Sequence, residues 1–165
     1  MKENIKTKRI TESRTIMSQL MMPNDSNHLG TVHGGVILAI ADKVAYVCAC
    51  RHSGSYCVTA SVDRVSFDSP IKIGQLVSFD ATIRYVGKTS MEVGIDIFAE
   101  DLITKIRTLT NTCFFTMVAI DAQGKPHPVP ALELESDLDR QNYDEARLRK
   151  ELSLKHAKSK TPPQI

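Results

Sequence analysis

The chemistry-bearing side chains crowd into one stretch. Asn27-His28-Leu29-Gly30-Thr31-Val32-His33-Gly34-Gly35 combines amide, imidazole and bare glycine backbone, and a carboxylate follows at Asp42. Asp42 sits in a mostly apolar run, Val36–Cys50. An ionised carboxylate there is costly unless something partners it. In a helix its neighbours would be Leu38, Ala39, Ala45 and Tyr46, and of these only Tyr46 carries a hydroxyl. The partner must come from another element. Backbone donors of a strand would make Asp42 structural, whereas a bound reactant would make it a base. Gly34-Gly35 lies where that helix would begin. Backbone N–H groups at a helix N-terminus hold a developing negative charge, and glycine lets a substrate come close. The plain alternative is a turn into a helix. His33 could donate to a carbonyl oxygen and Asn27 could hold water, although each also suits a turn or cap. Together they would bracket one carbonyl group, with the carboxylate about two helical turns in.

Other chemistries lack their residues. No G-x-S-x-G nucleophile elbow is present, and Gly87-Lys88-Thr89 lacks the earlier glycine of a phosphate loop. His28 and His33 have no C-x-x-C pair to complete a metal site, so no metal or other cofactor is expected. The chain has 165 residues, 42% hydrophobic and 24% charged, which suits one soluble domain. Trp is absent and aromatics are 5%, which argues against stacking platforms for nucleic acid. The net charge of +2 falls largely at the two ends and announces neither a nucleic-acid nor a membrane partner. Cys48, Cys50, Cys57 and Cys113 show no disulfide framework, no signal peptide is evident, and a cytoplasmic location is expected.

These residues need a scaffold. Residues 1–9 are polar and are expected to be loose, and Ile10–Met22 reads as a strand. A turn-rich loop, Pro23 to Gly35, leads into the helix Val36–Cys50. That helix is apolar on nearly every side and should be buried nearly all round. Strands are expected at Cys57–Phe67, Gln75–Val86, Ser90–Glu100 and Thr108–Ile120, with short turns that favour antiparallel pairing. Pro126, Pro128 and Pro130 make an extended exit, residues 139–158 a charged helix, and Thr161-Pro162-Pro163 a loose tail. One open sheet covers only one side of a helix, so a partner subunit is expected.

The pattern N-x-x-G-x-x-H-G-G followed by Asp42 resembles the signature of hotdog-fold acyl-CoA thioesterases, especially the bacterial and brain-type acyl-CoA hydrolases. Pro23, Asp63-Arg64-Val65, Phe67, Pro70, Ile73-Gly74-Gln75 and Val86-Gly87-Lys88-Thr89-Ser90 extend the likeness over residues 10–130. The resemblance implies an α+β hotdog fold, an antiparallel sheet wrapped around one long helix. It implies homodimers with sites at the interface, often assembled as a trimer of dimers. It implies hydrolysis of fatty acyl-CoA to free acid and coenzyme A, with Asp42 as base or nucleophile and Asn27 supplied by the other subunit. Gly35 N–H would polarise the thioester carbonyl, with His33 nearby. Gly87, Lys88, Thr89 and Ser90, with Arg64, would meet the phosphates of coenzyme A. A hotdog hydratase or dehydratase, or a non-catalytic acyl-CoA-binding protein, is the alternative.

Overall fold

Val77, Phe79, Ala81 and Ile83 are buried while the residues between them are not, the period-two signature of a strand with one face on a core. A computed structural model describes residues 7–159, leaving aside the side chains of Arg64 and residues 156–159. Its elements are β1 (Thr7–Arg9), α1 (Ile10–Ser13), β2 (Thr15–Leu20), a 3-10 turn (Pro23–Asp25) and α2 (Gly34–Ser53). There follow β3 (Tyr56–Phe67), β4 (Leu76–Val86), β5 (Ser90–Glu100), β6 (Arg107–Ile120), β7 (Ala131–Glu133) and α3 (Asp137–Ser159). Five strands form one antiparallel sheet in the order β2-β4-β5-β6-β3.

The sheet curls around α2. Ile37, Ile40, Ala41, Val44, Ala45, Cys48 and Ala49 meet the inward residues of β4, β5 and β6 in one core. Ala41, Ala45 and Ala49 recur every fourth residue, so small side chains let the sheet approach the helix closely. The helix ends at Gly54, whose left-handed φ of 71° favours glycine. All four cysteines are free, and burial pushes the thiols of Cys48 and Cys113 up to about 12.

Two expectations need correction. Residues 7–9 are not loose: they form β1, parallel to β7, with Thr7 opposite Ala131. Residues 1–6 and the tail Thr161-Pro162-Pro163 lie outside the described residues. The strand expected over Ile10–Met22 is broken by α1, because Glu12 Oε1 accepts the Arg9 N–H and Arg14 N–H closes a turn on Ile10 O. Within one chain, Gly35, Ala39, Asp42, Lys43 and Tyr46 of α2 are exposed on the side away from the sheet.

The charged C-terminal helix is part of the fold. α3 lies over the outer face of the sheet, with Tyr143 against Tyr85 at 5.0 Å between ring centres and Ala146 fully buried. Arg149 sends two hydrogen bonds to Glu92, at 2.7 and 3.2 Å, and stacks over Phe114. At the other side, His52 pins the end of α2: Nε2–H donates to Pro130 O at 3.1 Å and Nδ1 accepts from Ser13 at 3.4 Å.

Candidate functional site

The loop before α2 is built by its own side chains. Asp25 caps the 3-10 turn by accepting the Met22 N–H at 2.8 Å. Asn27 Oδ1 accepts from Leu29 N at 2.9 Å and Thr31 N at 3.2 Å, and its Nδ2 donates to Thr31 Oγ1 at 2.9 Å. Its backbone N–H also donates to Thr31 O at 2.7 Å. Asn27 is thus held in one orientation, as a side chain that closes its own turn.

His33 delivers the chain into α2. It is the N-cap, with φ −61° and ψ 131°, and its backbone N–H donates to Asp25 O at 2.9 Å. No side chain caps the helix, so the first-turn amides have no such partner. The two glycines differ. A Cβ on Gly34 would stand 3.1 Å from the Phe67 ring, whereas nothing lies within 4 Å of one on Gly35. Gly34 is bare because Phe67 packs on it; Gly35 faces open space at the positive end of the helix dipole. Beside it lies a hollow of about 310 Å³, lined by Val32, Gly34, Ile37, Phe67, Pro70 and Asn111, with room for the apolar end of a ligand.

Asp42 stands about two turns further on, on the open side of α2. Its Oδ1 accepts a 2.6 Å hydrogen bond from the Thr59 hydroxyl on β3. The register of β3 against β6 shifts between Thr59 and Ser61, leaving Ala60 as the extra residue of a bulge. Thr59 therefore sits at a local kink in the edge strand. Sequence reading passed over it, although period two from the buried Cys57 places Thr59 on the inward set. The carboxylate is held by one neutral donor and by no cation among the described residues, so one oxygen remains open to a ligand.

Within one chain the expected residues are only partly united. Asp42 and the start of α2 share an exposed side, but no hydrogen bond joins Asn27 to Asp42 among the described residues. His33 is exposed and its side chain shows no capping bond. Gly87–Ser90 forms the β4–β5 turn, where Gly87 N–H donates to Ser90 O at 2.8 Å and Lys88 is exposed. Thr89 O accepts from Ala119 N at 2.9 Å. The backbone of Arg64 pairs with Phe114, and its side chain lies outside the described residues.

Residues 29–105, from the loop before α2 to the turn after β5, match the sequence pattern of the Thioesterase superfamily. A solved structure of an apo-hexameric acyl-CoA thioesterase is 40% identical with a TM-score of 0.91, covering 94% of this chain and 100% of that one. The chain belongs to the thioesterase superfamily. Its fold is the hotdog fold of those thioesterases, a curled antiparallel sheet with one long helix packed against it. The protein VdlD of Helicobacter pylori is 45% identical over 140 residues, 85% of this chain and 80% of that protein. An acyl-CoA hydrolase from Staphylococcus aureus, solved with butyryl coenzyme A and coenzyme A, is 35% identical with a TM-score of 0.86 and 92% coverage of each chain. The same hydrolase has been solved as variants in which an aspartate, an asparagine or a threonine is replaced by alanine. No described helix of the present chain is long and apolar enough to cross a membrane.

Proposed function

We propose that this thioesterase-superfamily member hydrolyses fatty acyl-CoA to a free fatty acid and coenzyme A in the cytoplasm. The observation that carries the reading is the Asp42–Thr59 pair on the same open side of α2 as the uncapped amide end at Gly35. Thr59 fixes one carboxylate oxygen and leaves the other to take a proton from water. The water oxygen then attacks the thioester carbonyl carbon. The carbonyl oxygen becomes an oxyanion and is met by the Gly35 N–H and the helix dipole. Collapse restores the carbonyl and breaks the C–S bond. The leaving sulfur takes the proton that Asp42 collected, so the carboxylate is regenerated.

Asn27 belongs to the site through a second copy of the chain. The open side of α2 and the edge strand β3 form one continuous surface. It exposes Tyr46, Tyr56, Val58 and Val62, and among the described residues no strand pairs with the outer edge of β3. A second chain on that surface would cover the face that one sheet leaves bare and bring its own loop toward Asp42. The expected assembly is a dimer at least, grouped as a trimer of dimers.

Release of free thiol from acyl-CoA esters of graded chain length tests the activity. Turnover of a fatty acyl ester is expected, and binding without thiol release would overturn the reading in favour of an acyl-CoA-binding protein. Mixing Asp42→Asn with Asn27→Ala tests the shared site. Each variant alone is expected to be nearly inactive. A hybrid dimer holds one site with both native residues, so activity returns on subunit exchange. No recovery despite proven exchange would place both residues in one chain.

A further inference from the structure

Lys150 is a cation with no ion pair among the described residues. It lies on α3, half-buried, and its ammonium donates to Ser90 Oγ at 2.7 Å while standing 5.1 Å from the centre of the Tyr85 ring. A Cβ on Gly87 would come within 2.7 Å of its Nζ, so the turn is bare where the ammonium rests. Of the two carboxylates that share a hollow with Lys150, Glu92 accepts two hydrogen bonds from Arg149 and Asp63 accepts from the hydroxyls of Ser61 and Thr116. Burial lowers the Lys150 pKa. A half-buried ammonium has three donors, and neutral partners replace lost hydration only in part. Such a group gains most from a ligand that brings negative charge.

The surroundings say where that ligand comes from. Lys150 rests on the Gly87–Ser90 turn, next to the exposed Lys88. Register places this turn near the reacting groups. Thr59 pairs with Met117, and Met117 pairs with Met91, so β5 begins two strand spacings from Thr59, about 10 Å. Thr59 faces α2 inside the sheet, whereas Ser90 faces α3 outside it. The turn is the rim between the two faces. A long thioester can hold its carbonyl at Asp42 and pass its far end over that rim.

We propose that Lys150 of the C-terminal helix binds a phosphate group of the coenzyme A thioester, so that α3 completes the substrate site together with Lys88. The inference rests on the acyl-CoA reading above and adds a binding residue from an element outside the family match, which ends at residue 105. It gives the docking of α3 a second purpose: Arg149 on Glu92 and Tyr143 on Tyr85 hold the helix so that Lys150 overhangs the turn.

The test compares two substrates, an acyl-CoA and the matching acyl-pantetheine, which carries no phosphate. Lys150→Met keeps the apolar stem and removes the charge. Its KM for acyl-CoA is expected to rise about tenfold, the loss of one charge-assisted hydrogen bond, with kcat little changed. The rise should be confined to the phosphate-bearing substrate, and Lys150→Arg should restore most of the affinity. Should Lys150→Met fold poorly, the salt dependence of acyl-CoA KM in Lys150→Gln gives the same readout, because a lost phosphate contact flattens the slope. Lys88→Ala is the reference. If Lys88→Ala discriminates the substrates and Lys150→Met does not, the inference fails while the turn stands as a phosphate site. An equal rise for both substrates would make Lys150 a structural prop and overturn the inference. If neither variant discriminates, the phosphate site at this turn is wrong and Lys150 falls with it. No thiol release from either substrate by the unmodified protein would instead strike the acyl-CoA reading.

Discussion

Asp42 and Glu92 are carboxylates on opposite sides of one sheet, and they are held in opposite ways. Asp42 is exposed on α2, takes one hydrogen bond from a neutral hydroxyl and faces the surface where a second chain would sit. Glu92 is 6% exposed beneath α3, and a guanidinium grips both of its oxygens. Burial raises the Glu92 pKa and Arg149 opposes that rise. Burial and charge thus make Glu92 the more conspicuous of the two. Yet a carboxylate saturated by arginine has no lone pair to spare for water, and the tight pairing reads as a clamp for α3. The base of the proposed reaction is the carboxylate left incomplete.

Matched isosteric changes should separate the two. Asp42→Asn removes the base with little change in shape, and kcat is expected to fall by about 10²-fold or more. Binding of a non-hydrolysable analogue should persist and thermal stability should barely move. Glu92→Gln strands the Arg149 charge and is expected to cost about 1–3 kcal/mol of stability, with kcat of the folded enzyme within about twofold. Near-normal turnover by Asp42→Asn, or a collapse of kcat in Glu92→Gln with the fold intact, would reverse the assignment.

Thr59→Val sharpens the comparison from the other partner. It keeps the β-branched shape at the bulge and deletes the one hydroxyl that meets Asp42 among the described residues, so kcat should drop about tenfold with KM little changed. Steady-state kinetics decide it. A variant that loses stability and keeps kcat would make the Thr59 contact a packing feature of β3.

The strand ends were legible because turn formers stand at them: Gly87, Asp101 and Asp121 follow Val86, Glu100 and Ile120, where the strands stop. α2 was legible from its alanines and its glycine start, but it runs to Ser53, past the end expected at Cys50. His52 explains the extra turn, since it is buried between Ser13 and Pro130, and Gly54 then takes the left-handed cap. Asn27, Gly35 and Asp42 stood out by type and spacing. Thr59 did not, because its role depends on cross-strand register and on a bulge at Ala60. Lys150 was hidden within a charged run whose face and docking partner only tertiary packing decides. The pairing of β1 with β7 joins three residues at one end to three near the other, and no local pattern announces it.

The smallest expected effect concerns pH. Burial pushes His52 below the ordinary histidine value, so the native ring stays neutral. The unfolded chain takes up its proton near the ordinary value, about 6.5. Stability from the neutral ring is complete above that pH and is lost as pH falls below it, because the unfolded state then binds more protons. Thermal unfolding from pH 7 to pH 5 should therefore show a decline that is shallower in His52→Gln. Equal slopes in the two proteins would remove His52 as the cause.

The parallel contact of Thr7–Arg9 with Ala131–Glu133 bears on the order in which the molecule assembles. Nearly the whole sheet lies between those two short segments, and bringing such distant ends together costs much loop entropy for three pairs of residues. The hairpins β4–β5 and β5–β6 close short loops and can form first, which makes the joint of β1 with β7 a late event. On a ribosome it must wait until β7 has emerged, when every residue of the sheet has already been made. Amide protons at Lys8 and Leu132 should accordingly exchange ahead of those in β5, where opening requires the sheet itself to part.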